Sequence, residues 1–365
     1  ENNNSVVAKQ DKKKKIALVG YKLAKGGLER VLSSVSHLLY DADCDVHVIV
    51  LENEIEYSYS GTLINLGYFS KYEKYFQLRK QLKKNQFDCI IDFRHRINPW
   101  MELVFLYFIY ANFKTIYTIH SSKLAVYLTH KRFVTNQILK KANKIVTVSK
   151  GLNDIIKKEF HFDKSVVIPN SITEKREVIN CNDTQISYKY CIAVGRLVAL
   201  KQFDQLIKVY AESHLPQKHV HLIILGEGEE KERLQRLIFE RKMTEFIHLL
   251  GFKTDVFCYI ENAEFLVLTS KYEGFSMVIL EALDLSTPVI SFDCEVGPRE
   301  LIKHEHNGLL IENQNFESFK EALNRMVQDD KLKEFCATNA KASVNDFTAK
   351  NIQKKWLHLV NNNNN

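Results

Sequence analysis

The stretch Leu266-Val267-Leu268-Thr269-Ser270-Lys271-Tyr272-Glu273-Gly274-Phe275-Ser276-Met277-Val278-Ile279-Leu280-Glu281 reads as a short apolar strand, a glycine-containing loop and a helix opening at about Ser276. An uninterrupted apolar run of this length suits a strand buried on both faces, as in a parallel sheet. Glu273 and Glu281 stand eight positions apart, one before the helix and one inside it. A carboxylate at each end accepts hydrogen bonds from hydroxyl groups, while the backbone N–H groups at the helix start favour phosphate. Capping of the helix is the plainer account of such a pair, and the strand–loop–helix context is what makes the pattern specific.

The same alternation extends in both directions. Downstream stands Pro288–Phe292; upstream stand Ile247–Gly251, Val220–Gly226 and Tyr190–Gly195. A first series occupies the N-terminal half: Lys15–Gly20, Asp45–Val50, Cys89–Phe93, Thr115–Ile119 and Lys144–Val148. Lys25-Gly26-Gly27 follows the first of these strands and opens a helix at about Leu28. Two consecutive doubly wound α/β domains are the simplest architecture for 365 residues. The expected division is an N-terminal Rossmann-like domain over 1–185, with its polar linker at Ser171–Gln185, then a second domain over 186–346. A last helix over 347–360 is expected to return to the first domain.

Charge is uneven between the halves. Residues 1–180 hold 29 Lys and Arg against 18 Asp and Glu, a net of +11, which leaves −4 for the rest. A basic half suggests an anionic counterpart, nucleic acid or a phospholipid surface; a solvated basic surface is the alternative. Within it, Lys71–Lys84 carries six basic residues, and Tyr75, Leu78 and Leu82 can line one helical face, as in helices that lie at a membrane interface. An ordinary surface helix is the competing reading. The apolar stretch Trp100–Phe113 is too short to span a bilayer and fits a helix packed on a sheet. The seven cysteines are scattered without metal-ligand spacing, as expected of reduced thiols in the cytoplasm.

The segment Glu273–Glu281 resembles the Glu-(seven residues)-Glu motif of the family 4 glycosyltransferases, retaining enzymes of the GT-B fold. Five further segments are similar to that family's in the same order: Gly26-Gly27-Leu28-Glu29-Arg30, Ile168-Pro169-Asn170, Val194-Gly195-Arg196-Leu197 with Lys201, Gly297-Pro298-Arg299-Glu300, and Asn307-Gly308-Leu309-Leu310. The resemblance spans nearly the whole chain. It implies two Rossmann-like domains facing a central cleft, and transfer of a hexose or N-acetylhexosamine from a nucleotide sugar, preferably a UDP-sugar, to a glycan or lipid-linked acceptor. The product would be an α-linkage in cell-surface polysaccharide or glycoconjugate synthesis.

The resemblance also implies roles for single residues. Arg196 and Lys201 would hold the donor diphosphate, Glu273 would contact the transferred sugar, and Glu281 the nucleotide ribose. His120, at the end of the strand Thr115–Ile119, would stand near the reacting carbon. Gly27, Gly195, Gly274, Phe275 and Ser276 would line the donor. Two fixed cations stabilise a departing diphosphate without a metal, so neither metal nor cofactor is expected. Nor is nucleic acid expected as a partner. The expected location is the cytoplasm, with peripheral attachment to the inner face of the membrane.

Two patterns point elsewhere. Gly226-Glu227-Gly228 resembles the start of a dinucleotide fingerprint, but Lys231 replaces its third glycine and the acidic loop would repel a pyrophosphate. Asp41, Asp43 and Asp45 match a metal-binding Asp-x-Asp, yet they fall at a helix-to-strand turn where Asp is common. The rival functions are a nucleotide-sugar epimerase of the same fold and a non-catalytic nucleotide-sugar-binding protein.

Overall fold

The computed structural model describes residues 13–172, 186–253 and 255–362. Among these, two sheets form the framework. The first contains β1 (Lys15–Gly20), β2 (Asp45–Val50), β3 (Thr62–Asn65), β4 (Cys89–Asp92), β5 (Thr115–Ile119), β6 (Lys144–Thr147) and β7 (Ser165–Val167), in the spatial order β3-β2-β1-β4-β5-β6-β7. The second contains β8 (Tyr190–Val194), β9 (His221–Leu225), β10 (Ile247–Gly251), β11 (Phe265–Leu268), β12 (Val289–Asp293) and β13 (Gly308–Glu312), ordered β10-β9-β8-β11-β12-β13. The pairings β1–β2, β1–β4, β8–β9 and β8–β11 are all parallel.

Helices join the strands. In the first half these are α1 (Gly27–Asp41), α2 (Glu73–Asn85), α3 (Pro99–Val104), α4 (Ala125–Leu128), α5 (Arg132–Lys141) and α6 (Lys150–Phe160). In the second half they are α7 (Phe203–Glu212), α8 (Lys231–Glu240), α9 (Val256–Glu261), α10 (Met277–Asp284), α11 (Pro298–Leu301), α12 (Phe316–Gln328), α13 (Asp330–Ser343) and α14 (Ala349–Asn361). Helices on both faces explain why the central strands read as unbroken apolar runs: Ile16–Val19 and Cys191–Ala193 are buried whichever way they point. In each sheet the strand order reverses beside the first strand, between β1 and β4 and between β8 and β11. Such a reversal opens a crevice at the carboxyl ends of the two strands, where open α/β sheets bind their ligands.

The chain divides into two compact units. One takes the stretches up to Ile119, Leu124–Val146 and everything from Gln353; the other takes His120–Lys123 and Thr147–Ile352. The expected linker lies, from residue 173 on, outside the described residues. The end of α14 is part of the first unit: Gln353 Nε2 donates to the Leu38 carbonyl at 2.8 Å, and Trp356 lies with its ring centroid 6.4 Å from that of Phe93.

Three features of the first unit and the state of one cysteine bear on what the sequence suggests. Asp92, Arg94, Arg96 and Glu102 form a buried network behind β4, with Arg94 gripping Asp92 at 2.8 Å and Glu102 at 3.1 Å. Burial opposes its charge, but those two carboxylates hold the Arg94 guanidinium well above its ordinary pKa. The apolar stretch after Asn98 forms α3 and then a π-helical turn, Phe105–Ile109, which buries Phe105, Leu106 and Ile109. On α2, Leu78 and Leu82 are fully buried and Tyr75 packs edge-on against Phe105 at 5.7 Å. The face expected to meet a membrane is therefore spent on the core. Cys44, Cys89, Cys191, Cys294 and Cys336 are free and buried, but Cys258 is disulfide-bonded, against the expectation of seven reduced thiols.

Candidate functional site

The crevice between β8 and β11 receives two loops. β8 runs into Gly195-Arg196, and β11 into the segment that ends at Glu273-Gly274. Hydrogen bonds tie the loops together: Thr269 Oγ1 donates to the Lys201 carbonyl at 2.9 Å, and the Lys271 N–H donates to the Leu200 carbonyl at 3.0 Å. Lys201 ends a 3-10 turn, Ala199–Lys201. From there its ammonium reaches Glu273 Oε1 at 2.7 Å, with the two side chains 19% and 12% exposed. A Cβ on Gly195 would stand 3.2 Å from Lys201 Cε, so the absence of a side chain there gives the lysine stem its path. Arg196 is exposed one residue later. The second unit thus presents an exposed guanidinium and a half-buried ammonium at the carboxyl ends of its switch-point strands, the place and charge suited to a diphosphate.

Other expected residues lie on the same loop–helix segment or against it. A Cβ on Gly274 would sit 1.9 Å from the His120 carbonyl oxygen, so the Glu273 loop and the backbone of His120 lie in contact. Phe275 is buried. Ser276 precedes α10 in the left-handed region at φ +56°, and its side chain does not cap the helix. A non-glycine residue held there costs of order 1–3 kcal/mol. Its hydroxyl is buried and has no hydrogen-bond partner among the described residues, which suits a bound oxygen ligand at the helix start. Glu281 lies one turn inside α10 and is almost fully buried. The neighbouring Cys294 is no nucleophile: burial first, then the charge of Glu273, pushes its thiol up to about 12.

Two glycines have structural roles that sequence spacing alone did not assign. At Gly226 (φ +145°) a Cβ would fall 1.9 Å from the Gly195 carbonyl oxygen, and at Gly228 one would fall 2.3 Å from that of Leu197. The 226–228 loop therefore lies directly against the Gly195–Leu197 loop, and the Leu197 N–H donates to the Glu227 carbonyl at 2.9 Å. The pattern that looked like part of a dinucleotide fingerprint is a support for Arg196. Its signal was a pair of glycines at the end of a strand adjacent to the binding strand.

The other recurrent segments act as braces. Glu300 accepts from the N–H groups of Lys150 and Gly151, both at 2.9 Å, and so places a carboxylate at the start of α6. Arg299 makes a two-pronged pair with Asp293 at 2.8 and 2.9 Å. The amide of Asn307, fully buried, bonds the Leu301 carbonyl and the Lys303 N–H. Gly27 belongs to the first unit, where it opens α1; a Cβ there would meet no atom within 4 Å, so packing does not require glycine. Asp43 is paired with Lys13, and Asp45 with His47 at 3.1 Å.

Comparison with known proteins bears on the family and the fold. The model of "Glycosyltransferase Family 4" matches residues 25–176, and that of "Glycosyl transferases group 1" matches residues 171–343. A relative from Campylobacter jejuni, the N-acetylgalactosamine-N,N'-diacetylbacillosaminyl-diphospho-undecaprenol 4-alpha-N-acetylgalactosaminyltransferase, is 28% identical over 95% of this chain and 99% of its own length. The poly(ribitol-phosphate) alpha-N-acetylglucosaminyltransferase of Staphylococcus aureus is 30% identical over 46% of this chain and 34% of its own. The crystal structure of Anabaena HepE in complex with UDP and glucose superposes with a TM-score of 0.79 over 95% of this chain and 99% of that one. At 18% identity this speaks for the fold alone.

Proposed function

Because the chain belongs to the glycosyltransferases of the GT-B fold, a transferase of the EC 2.4 class, we propose that it moves a hexose or N-acetylhexosamine from a UDP-sugar onto a glycan or lipid-linked acceptor. The transfer retains configuration and builds an α-linkage in a cell-surface polysaccharide or glycoconjugate. The observation that carries this reading is the Lys201–Glu273 pair beside the exposed Arg196 at the switch point of the second sheet.

In this reading Lys201 and Arg196 hold the diphosphate and absorb the charge that develops as the bond from the anomeric carbon to phosphate oxygen breaks. The acceptor oxygen bonds to that carbon, and its proton passes to the departing phosphate, so positioning is the main task of the protein. Glu273 turns its free oxygen to hydroxyls of the sugar, Glu281 serves the ribose, and the unmatched Ser276 hydroxyl meets a phosphate oxygen. His120 lies beside the sugar, and Gly195, Gly274 and Phe275 shape the donor surface. No metal enters the scheme. The enzyme works at the inner face of the cytoplasmic membrane, attached peripherally.

Incubation with a panel of UDP- and GDP-sugars and a short acceptor, followed by mass spectrometry, is expected to show transfer from a UDP-sugar, undiminished by excess chelator. Donor converted to its epimer with no transfer would favour an epimerase, and binding without any product a sensor. Loss of turnover to EDTA, restored by Mg²⁺ or Mn²⁺, would reopen the case for the Asp41–Asp45 turn.

A further inference from the structure

The helix α2 has a second face, and that face is not what a packed protein surface normally shows. Its inward side carries Leu78 and Leu82, both fully buried. Outward, at spacings of three and four, stand Tyr72 just before the helix, then Phe76, Lys80 and Lys83. Phe76 is 64% exposed. It meets Phe108 of the π-helical turn edge-on at 5.9 Å, and the Arg79 guanidinium lies 4.3 Å over the same Phe108 ring. The preceding residue of that turn, Tyr107, is 53% exposed. Its hydroxyl bonds Gln137 on α5 at 2.5 Å, and Lys141 of α5 stands 5.3 Å from its ring. Phe133, at the start of α5, is 67% exposed. These contacts join α2, the π-helical turn and α5 into one continuous face within the first unit.

The chemistry of that face is consistent. α2 carries five basic residues against one acidic, α5 carries three basic and no acidic, and the turn between them is uncharged. Exposed rings scattered singly need no explanation, but a contiguous group ringed by cations marks an interaction surface. Protein partners would be expected to offer pockets for such rings. Here the rings stand on convex helix surfaces among Lys and Arg, the composition that seats side chains at the headgroup level of a bilayer. The bulge of the π-helical turn supplies the geometry, since it turns Tyr107 and Phe108 outward while Phe105, Leu106 and Ile109 stay in the core.

We infer that the face formed by α2, the Phe105–Ile109 turn and α5 docks on a bilayer surface containing anionic lipid, with Phe76, Tyr107 and Phe133 entering the headgroup region and Lys80, Lys83 and Lys84 pairing with lipid phosphates. This deepens the peripheral attachment proposed above and rests on that reading. It replaces the Tyr75–Leu78–Leu82 face, which the core occupies.

The test is co-sedimentation of the full chain with vesicles of phosphatidylglycerol and phosphatidylcholine, against phosphatidylcholine alone, across a salt series. The wild type is expected to sediment with the anionic vesicles and to be released by salt. Each surface cation near such a membrane contributes about a fivefold gain in partition, so Lys80→Gln/Lys83→Gln/Lys84→Gln is expected to lower it about a hundredfold. Phe76→Ser/Tyr107→Ser/Phe133→Ser is expected to lose binding even at low salt. Both variants should keep the circular dichroism of the parent and its turnover of a short soluble acceptor. Lys201→Ala, which strikes the donor site, should bind vesicles like the parent.

The inference is overturned if either triple variant sediments like the wild type, or if the wild type ignores anionic vesicles or binds both kinds equally. It also fails if size-exclusion chromatography shows a dimer that the ring variant dissolves, since the face would then be a self-contact. An absence of transferase activity alongside intact vesicle binding would strike the function proposed above and leave the docking face standing.

Discussion

Lys201 and Arg196 differ in how the protein holds them. Lys201 is clamped, its backbone tied to Thr269 and its ammonium to Glu273, whereas Arg196 is exposed on a loop braced from below by Gly226 and Gly228. Both are expected to meet the leaving diphosphate, and Lys201→Ala and Arg196→Ala should each lower turnover by roughly 10²-fold, the usual scale for a lost contact to developing charge. The two should separate in stability. Arg196→Ala should leave the melting temperature unchanged, because the side chain is exposed. Lys201→Ala strands Glu273 in a nearly closed site and should lower the melting temperature slightly, a loss that Lys201→Ala/Glu273→Gln should recover without restoring turnover. Steady-state rates at saturating donor, with melting curves of all three proteins, check this; near-normal turnover in either single variant would remove that residue from the diphosphate site.

Among the elements, β9 and β10 pair through a contact that makes them sensitive to acid. His221 Nδ1 stands 3.0 Å from His248 Nε2, and Tyr188 stacks on His221 with centroids 4.0 Å apart. One ring must donate to the other, so at least one is neutral. Burial holds both below the ordinary histidine pKa. The unfolded chain therefore takes up protons more readily than the folded one. The stabilisation is complete above the unfolded value of about 6.5 and is lost as pH falls from there toward the lower folded values. Urea midpoints measured down a pH series are expected to drop below that point, and His248→Phe should flatten the drop; equal slopes in the two proteins would show that the pair does not titrate. Elements of this kind were legible only in part. The strands could be read directly, because sheets covered on both faces demand apolar runs such as Ile16–Val19 and Phe265–Leu268. The glycines of 226–228 could not, since their reason is the backbone of Gly195 and Leu197, thirty residues away in the chain. The Lys201–Glu273 contact spans 72 positions, and nothing local to either residue announces it. Nor does the sequence around Arg94 and Arg96 announce the buried network they form with Asp92 and Glu102.

At the scale of the whole molecule, the chain does not finish where its second sheet finishes. α14 begins in the second unit, and from Gln353 onward its residues belong to the first. Trp356, Leu359 and Val360 are buried there, so the first unit's core takes in residues that follow the whole second sheet in the chain. Trp356→Ala removes a large buried ring beside Phe93 and should cost about 3–5 kcal/mol, as other deletions of buried aromatic side chains do. The proposed donor site draws His120, Arg196, Lys201, Glu273, Ser276 and Glu281 from the second unit alone, so the same variant should bind UDP with unchanged affinity below its melting temperature. Calorimetry provides both numbers: a thermal scan, in which the transition of the first unit moves down, and a UDP titration, in which the dissociation constant stays put. A Trp356→Ala protein that loses UDP affinity in proportion to its stability would mean that the donor site depends on the first unit's core, and that the second unit is not its sole owner.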